Sequence, residues 1–204
     1  MTDIIGKAYP LGDAIGFVEL LDHMGNDLTV VNAARVSLAR ESHELSPRDK
    51  RLIHFLMANR HSSPFEHAVM SFRVKAPIFV VRHWERHRWS SFNEQSGRWT
   101  AFEPEFYCPT DTIREFSKEA FTLYEHMLTE GVEKEEARLV LPPNLYTTFW
   151  YTANALSLMN FIGLRNASGV QEETRLYAKA VEDIFEGLLP EVHAAFTENG
   201  RRAQ

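Results

Sequence analysis

The sequence predicts an α+β fold in which helix predominates, arranged as one domain over residues 1–204. The length suits a single domain with a substantial core, and the content of 44% hydrophobic and 25% charged residues is typical of a globular protein. Residues 67–77 (HAVMSFRVKAP) alternate apolar and polar side chains, as a half-buried strand does. Residues 111–130 and 170–189 instead carry apolar side chains at helical spacing. No repeat or Gly/Ser-rich linker divides the sequence.

Start and stop residues mark the elements of the first part of the chain. Residues 16–22 (GFVELLD) predict a strand, and Asn26 is a suitable N-cap for a helix that follows it. Ser46 and Pro47 indicate a second helix start, because proline is favoured at the first helical position. The apolar face of this helix would carry Leu52, Ile53, Leu56 and Met57.

The alternating strand should end at Pro77, because proline cannot donate a hydrogen bond within a sheet. Residues 78–88 (IFVVRHWERHR) have the length and composition of a helix leaving that strand. The polar residues that follow, together with Gly97, favour irregular backbone.

The second half of the chain predicts mainly helices. Residues 111–130 are amphipathic, and residues 133–139 form a short helix that two prolines must stop. Residues 145–161 (LYTTFWYTANALSLMNF) are long, aromatic and almost uncharged, which predicts one buried helix. Residues 170–189 predict a last helix with an acidic outer face.

Composition limits the classes of function. The formal net charge of −6 argues against a protein that wraps nucleic acid, because such binding requires many phosphates to be neutralised. No apolar run approaches the length of a membrane span, and the first residues lack the pattern of a secretory signal. The single cysteine, Cys108, excludes an internal disulfide and a cysteine-rich zinc site. We therefore expect a cytoplasmic protein that binds neither membrane nor nucleic acid.

Residues 85–99 (ERHRWSSFNEQSGRW) concentrate cations, hydroxyls and an amide in an otherwise acidic chain. Arginine forks suit phosphate or the carbonyl edge of a base, and glycine lets the backbone approach an anion. Together these groups would clamp a nucleoside monophosphate. The simpler interpretation is a solvated turn whose charges pair with nearby glutamates.

Other chemistries fit this segment less well. His83 and His87 lie four residues apart, but the surrounding arginines oppose a divalent metal, and we expect no metal site. Ser96 has no evident base among its neighbours in sequence, which favours binding over nucleophilic attack. Cys108 has no activating partner nearby in sequence and is interpreted as structural.

Arg86, His87 and Arg88, followed after seven residues by Ser96, match the RHR-x7-S signature of the flavin-dependent thymidylate synthases. Further segments resemble the same family in the same order. They are HSSPFEH (61–67), VKAPIFVVRHW (74–84), ARLVLPPNLYT (137–147) and NALSLMNFIGLR (154–165). The resemblance covers nearly the whole chain, from residue 16 onward.

This resemblance implies an α+β domain with a mainly antiparallel sheet and a homotetramer whose active sites lie between subunits. It implies FAD as cofactor and a pyrimidine nucleoside monophosphate as substrate. The reaction would be reductive methylation of dUMP at C5, with methylenetetrahydrofolate as carbon donor and NADPH as the reductant of the flavin.

The resemblance also assigns site residues. Arg165 matches the arginine that stabilises the deprotonated uracil ring, and we expect it to be catalytic. The positions that match nucleotide contacts are His83, Arg86, Glu94, Gln95, Ser96, Gly97, Arg98, Arg138 and Arg165, with residues 94–98 supplied by a neighbouring subunit. The positions that match flavin contacts are His61, Ser63, Glu66, Arg86, His87, Arg88, Glu94, Asn154, Asn160 and Leu164. Asn154 and Asn160 have an alternative interpretation as hydrogen-bonded core amides.

The sequence departs from the family pattern at five positions. His83 stands where glutamine is usual beside the nucleotide, and Trp99 replaces a tyrosine. Leu156 and Gly169 replace an arginine and a histidine on the flavin side, which would weaken FAD retention. Ser63 replaces threonine, which is a mild change.

Three alternative functions remain open at this point. The same chemistry could act on UMP in a pathway for modified nucleosides, because His83 could accommodate a ribose 2′-hydroxyl. The chain could instead be a non-catalytic relative that binds flavin or nucleotide. An RNA-binding module that stacks bases on Trp89 and Phe92 fits the net charge poorly.

Overall fold

The computed structural model describes residues 6–203, which form a five-stranded antiparallel sheet with helices packed against it. The strands are β1 (Lys7–Ala8), β2 (Phe17–Met24), β3 (Val69–Pro77), β4 (Ser90–Glu94) and β5 (Tyr146–Asn154). Their spatial order is β1-β2-β3-β5-β4. The predicted α+β class with a mainly antiparallel sheet is confirmed.

Eight α-helices lie within the described residues, and most of them match predicted segments. They are α1 (Asp27–Arg35), α2 (Pro47–Ala58), α3 (Ile78–Trp84), α4 (Asp111–Thr129), α5 (Lys134–Ala137), α6 (Ala155–Arg165), α7 (Glu172–Leu188) and α8 (Pro190–Glu198). The N-caps predicted from sequence are confirmed, since Asn26 and Ser46 each form a capping box. The C-terminal helix α8 was not predicted.

The predicted single helix over residues 145–161 is wrong. Its first part is β5, which pairs with β3 on one side and β4 on the other, and only the part from Ala155 onward is helical. The run YTTFWYT is rich in aromatic and β-branched residues, which favour a strand when both edges are paired. Asn154 marks the change of structure, because its side chain accepts a hydrogen bond from the Ser157 N–H at 2.9 Å and caps α6.

The prediction for residues 78–97 is also partly wrong. The helix ends at Trp84 instead of Arg88, and Ser90–Glu94 form the edge strand β4 instead of a loop. The Phe92 ring stacks on Phe149 of β5 at 4.7 Å, so tertiary pairing overrides the loop-forming composition. Irregular backbone is confined to residues 85–89, before β4, and to the residues after Glu94.

One face of the sheet packs against the helices around Trp84. The indole of Trp84 is buried and contacts the rings of Phe149, Tyr151, Phe161 and Tyr177. These contacts join α3, β5, α6 and α7 into one apolar core. The elements that carry the arginine-rich segment are therefore held by the main apolar core.

A buried carboxylate fixes the C-terminal end of α6. Glu182 on α7 accepts hydrogen bonds at 2.6 Å from both Asn166 and Arg201, and the His193 ring lies at 2.9 Å. Burial alone would raise the pKa of Glu182, but the hydrogen bonds from Arg201, His193 and Asn166 outweigh it and lower the pKa to about 2. Asn166 directly follows Arg165, so this network holds the predicted catalytic residue in place.

We predict that Glu182→Gln lowers the free energy of unfolding at pH 7 by about 3 kcal/mol, because Arg201 would lose a buried partner. The wild-type contribution should be complete above the ordinary glutamate pKa near 4.5 and be lost as the pH falls towards about 2. Urea unfolding from pH 7 to pH 2.5 checks both effects. Glu119→Gln, an exposed change on α4, is the control. An unchanged stability of the Glu182 variant would contradict the assignment.

Candidate functional site

The RHR residues form a turn between α3 and β4. The backbone N–H of His87 donates to the Trp84 carbonyl at 3.0 Å, and the Ser90 hydroxyl donates to the His87 carbonyl at 2.8 Å. These bonds fix the turn, so Arg86 and Arg88 remain exposed while the His87 ring packs edge-on against Phe161 at 5.1 Å. The turn therefore presents two cations around one half-buried imidazole.

Arg165, at the end of α6, joins this group through His87. The Arg165 Nε donates a hydrogen bond to His87 Nε2 at 3.1 Å. Burial and the nearby Arg165 lower the pKa of His87 to about 4, so its ring is neutral at pH 7 and accepts through Nε2. Burial and the nearby Arg86 lower the pKa of Arg165, yet a guanidinium remains charged at neutral pH. The neutral imidazole thus orients a cation without repelling it.

Several predicted flavin positions converge at one end of the sheet. Strands β3 and β4 begin at this end and β5 finishes there, with Ala153 of β5 paired to Met70 on one side and to Ser90 on the other. Because adjacent strands lie about 4.8 Å apart, the backbones of Met70 and Ser90 are roughly 10 Å apart. The segment before β3 carries His61, Ser63 and Glu66, all exposed, and the segment before β4 carries the RHR turn.

Helix α6 contributes the remaining predicted flavin positions. Asn154 opens the helix as its N-cap, so the interpretation of this residue as a structural amide has direct support. Asn160 is half-buried and Leu164 is exposed near Arg165. Of the two departures on this side, Leu156 is buried in the core, and Gly169 has a φ of +86°, which glycine adopts readily.

The predicted nucleotide loop, residues 94–98, starts at the last residue of β4, at the end of that strand opposite the RHR turn. Its backbone is held at both ends, since Gln95 N–H donates to the Thr148 carbonyl at 2.9 Å and Trp99 N–H donates to the Ser96 carbonyl at 3.1 Å. Gly97 is buried, and a Cβ there would overlap the Phe102 ring and lie 3.2 Å from Arg138 Cδ. Packing against Phe102 therefore requires glycine at this position.

Helix α5 and the turn that follows it support this loop. The Lys134 ammonium donates to the Trp99 carbonyl at 3.1 Å, and Glu135 pairs with Arg98 at 2.5 Å. The Arg138 Nε donates to the Glu135 carbonyl at 3.3 Å, which brings Arg138, one of the two predicted base-side arginines, to the same place as Arg98. Sequence reasoning missed Glu135 and Phe102. Glu135 lies three residues before Arg138, and this helical spacing could have predicted that the two residues lie close together.

Glu94 ends β4 next to the nucleotide loop, whereas His83 lies in the last turn of α3, next to the RHR turn. Partial burial raises the pKa of the Glu94 carboxyl, the Glu85 carboxylate adds to that rise, and Arg138 opposes it. His83 is half-buried on α3, in the helix that leads to the RHR turn. A five-residue strand is about 17 Å long. The RHR turn and the nucleotide loop of one chain are therefore separated by the length of β4.

A cavity of about 270 Å³ lies between the RHR turn and β4. Its walls are Trp84, Glu85, His87, Arg88, Ser90, Phe92 and Tyr151. Among residues 6–203, the buried Trp84 indole N–H and Tyr151 hydroxyl make no well-formed hydrogen bond. Burial raises the pKa of Tyr151 to about 12, so its hydroxyl keeps its proton and can donate. Arg88 is an exposed cation in this lining and suits a ligand that carries carbonyl or phosphate oxygens.

Two further observations concern metals and membranes. In the part of the chain that the structure describes, no cluster of three or more His, Cys, Asp or Glu side chains has the arrangement of a metal site. None of the helices within residues 6–203 is both long enough and apolar enough to cross a bilayer.

Comparison with known proteins gives consistent matches over most of the chain. Residues 19–191 match the family Thy1, described as thymidylate synthase complementing protein. A flavin-dependent thymidylate synthase of Thermotoga neapolitana is 46% identical over 196 residues, covering 89% of this chain and 90% of the relative. The enzyme of the same name from Tropheryma whipplei strain TW08/27 is 40% identical over 225 residues, covering 91% and 94%.

Solved structures agree with these matches. A UMP/dUMP methylase, PolB, from Streptomyces cacaoi bound with 5-Br dUMP superposes with a TM-score of 0.85 at 37% identity, covering 92% of this chain and 97% of that one. Its complex with 5-Br UMP gives a TM-score of 0.82 at the same identity, covering 92% and 96%. With the RHR turn, the nucleotide loop and Arg165 in place, these matches show that the chain belongs to the flavin-dependent thymidylate synthase family.

Proposed function

We propose that this protein catalyses the reductive C5 methylation of a uridine nucleotide, converting dUMP to dTMP. FAD would be the cofactor, methylenetetrahydrofolate the carbon donor and NADPH the reductant. Family membership supports the flavin dependence, and the methylase bound with 5-Br dUMP supports a pyrimidine nucleoside monophosphate as substrate. The observation that carries the proposal is the contact of Arg165 with His87 inside the RHR turn.

The residues at the sheet end fit a flavin dinucleotide. Arg86 and Arg88 are exposed cations suited to its phosphates, and a cavity lined in part by Trp84 and Tyr151 lies beside them. The other residues that would hold it are His61, Ser63, Glu66, His87, Glu94, Asn154, Asn160 and Leu164. When bound, the flavin supplies the hydride that completes the methyl group.

Arg165 is assigned the activation of the uracil ring. Attack from C5 requires negative charge to develop on the ring, and a fixed cation beside the N3 edge stabilises that charge. The hydrogen bond to neutral His87 fixes the direction of the Arg165 fork before substrate arrives. Preorganisation of this kind removes the cost of reorienting the cation during the reaction.

The nucleotide would be held by the second group of residues. Gln95, Ser96 and the Gly97 backbone offer donors to phosphate, and Arg98 and Arg138 bring positive charge to the same loop. We assign this loop to the active site of a neighbouring subunit in a homotetramer. We also propose that the protein is cytoplasmic. The separation of the loop from the RHR turn of its own chain supports this arrangement.

UMP is the second candidate substrate, because the Streptomyces methylase is also described bound with 5-Br UMP. His83 stands on the nucleotide side and differs from the glutamine that is usual in the family. An imidazole can donate to or accept from a ribose 2′-hydroxyl. We propose dUMP as the preferred substrate and UMP as the alternative.

The test of the function is turnover in the presence of FAD, NADPH, methylenetetrahydrofolate and either nucleotide. We predict that Arg165→Ala keeps the flavin absorbance but lowers kcat by at least about 10²-fold, because the developing charge loses its fixed cation. Arg175→Ala, a change at a partly exposed residue of α7, is the matched control. Turnover near the wild-type rate in the Arg165 variant would contradict the assigned role.

Gly97→Ala tests the nucleotide loop. Its Cβ would overlap Phe102 and press on Arg138, so the loop must shift. We expect the nucleotide KM to rise about tenfold, because the loss of one charge-assisted hydrogen bond weakens binding by about that factor. FAD content should not change. Ala101→Ser, on the same exposed segment, is the control, and an unchanged KM would argue against loop residues as the clamp.

His83→Gln tests the choice of nucleotide. Restoring the usual family residue should raise the ratio of kcat/KM for dUMP over UMP, because the imidazole contact to a 2′-hydroxyl is removed. Steady-state kinetics with both nucleotides give the ratio, and His126→Gln on α4 is the control. An unchanged ratio would mean that His83 does not determine which nucleotide the enzyme prefers. A wild-type preference for UMP would make the alternative function the correct one.

A further inference from the structure

A second cavity, of about 390 Å³, lies between the end of α1 and helix α2, outside the positions assigned above. It is lined by Arg35, Leu38, Arg40, Arg48, Arg51, Leu52 and Phe55. Its volume is within the range of small-molecule pockets. Four arginines in one concave surface are unusual for a chain with a net charge of −6.

The α2 side of this cavity is a helix face on which Leu52 is partly buried against the core and Phe55 is exposed. Arg48, Leu52 and Phe55 follow helical spacing and point to one side. The opposite side carries Ile53, Leu56 and Met57, which are buried. Phe55 is 55% exposed, and Leu38 across the cavity is 65% exposed. The Phe55 and Leu38 side chains are therefore available to a ligand.

Hydrogen bonds fix the loop that closes the cavity. The Asn32 side chain donates to the Ser42 carbonyl at 2.9 Å and accepts from the Ser42 N–H at 2.8 Å. The Ser42 hydroxyl donates to Asp49 at 3.2 Å, and Asp49 also pairs with Arg35. The cavity is therefore held open by the fold, which reduces the ordering cost of binding.

The positive charge of the cavity is not neutralised by the protein. Asp49 compensates Arg35, but within residues 6–203 Arg40, Arg48 and Arg51 form no ion pair. Glu41 and Glu44 are exposed on the same loop and do not line the cavity. Three uncompensated guanidinium groups beside an exposed aromatic ring match a ligand with several phosphate charges and a flat base.

The cavity also adjoins the flavin side of the proposed active site. The Phe55 ring packs edge-on against the ring of His61 at 5.8 Å. His61 is assigned to the flavin and folate side. A dinucleotide that extends past Phe55 towards His61 would reach from the arginines to the reacting ring system.

We propose that this cavity binds the phosphate-bearing adenosine end of the reduced dinucleotide, an inference that rests on the proposed use of NADPH. The adenosine 2′-phosphate and the diphosphate pair with Arg40, Arg48 and Arg51, and the adenine packs on Phe55. The charge of these phosphates matches three free guanidinium groups better than the carboxylates of a monoglutamate folate tail.

The first experiment measures binding directly by calorimetry, with adenosine 2′,5′-bisphosphate as the probe. We expect the double variant R48Q/R51Q to bind it at least about tenfold more weakly, because the loss of one charge-assisted hydrogen bond lowers affinity by about that factor. Arg114→Gln, on α4 and exposed, is the matched control and should bind as the wild type does. Equal affinity in the double variant would overturn the proposal.

The second experiment separates this inference from the proposed function. Anaerobic stopped-flow reduction of the flavin should show a raised Kd for NADPH in the double variant and a smaller change for NADH, which lacks the 2′-phosphate. Methylation after chemical reduction with dithionite should equal that of the wild type, because the cavity is not needed once the flavin is reduced.

Each failure has a different signature. A rise in KM for polyglutamated folate, with NADPH binding unchanged, would overturn the dinucleotide assignment in favour of the folate tail. Loss of dithionite-driven methylation in the wild type would count against the proposed function, while the calorimetric titration would still decide the phosphate site.

Discussion

Strand β5 pairs over its full length with β3 and over five residues with β4, and the rest of the structure depends on this double pairing. It places the start of β3, the start of β4 and the start of α6 at one end of the sheet. Three parts of the site therefore meet there without long connecting loops. They are the segment before β3, the segment before β4 and the first residue of α6. Trp84 stabilises the arrangement because its ring contacts residues of β5, α6 and α7 together.

The electrostatics of the site follow from burial. His87 packs against Phe161 and is held neutral by burial and by Arg165, which lets the imidazole accept a hydrogen bond from a cation. The cation itself lies at the end of α6, and the hydrogen bond from Asn166, the next residue, to Glu182 on α7 anchors the same point. A protonated histidine would repel both Arg86 and Arg165. The geometry therefore depends on a group that remains uncharged at neutral pH.

Motifs with strong local chemistry could be predicted from the sequence. Asn26 and Ser46 satisfy the first backbone N–H groups of their helices without help from distant residues, so both caps were predictable. The RHR-x7-S spacing and the segments around Arg165 were sufficient to indicate the family. The roles of individual residues in binding FAD and nucleotide remain predictions.

The misassigned elements share a physical cause. Residues 146–154 have no charge and no proline, so the sequence alone is compatible with a buried helix or a buried strand. The two open edges offered by β3 and β4 decide for the strand, and these partners are more than fifty residues away along the chain. Residues 90–94 are polar enough for a loop, but pairing with β5 and the stacking of Phe92 on Phe149 make them a strand.

The sequence by itself determined the fold class, the starts of α1 and α2 and the family, because these depend on local periodicity, capping and short motifs. Only the tertiary structure decided that Arg165 donates a hydrogen bond to His87 and that the Phe102 ring leaves no room for a Cβ at position 97. It also decided that four arginines from α1, α2 and the loop between them line one cavity. Each of these facts joins residues that are distant in the chain or on different elements. Sequence spacing cannot specify such contacts, because they arise only when the packed core fixes the relative positions of the elements.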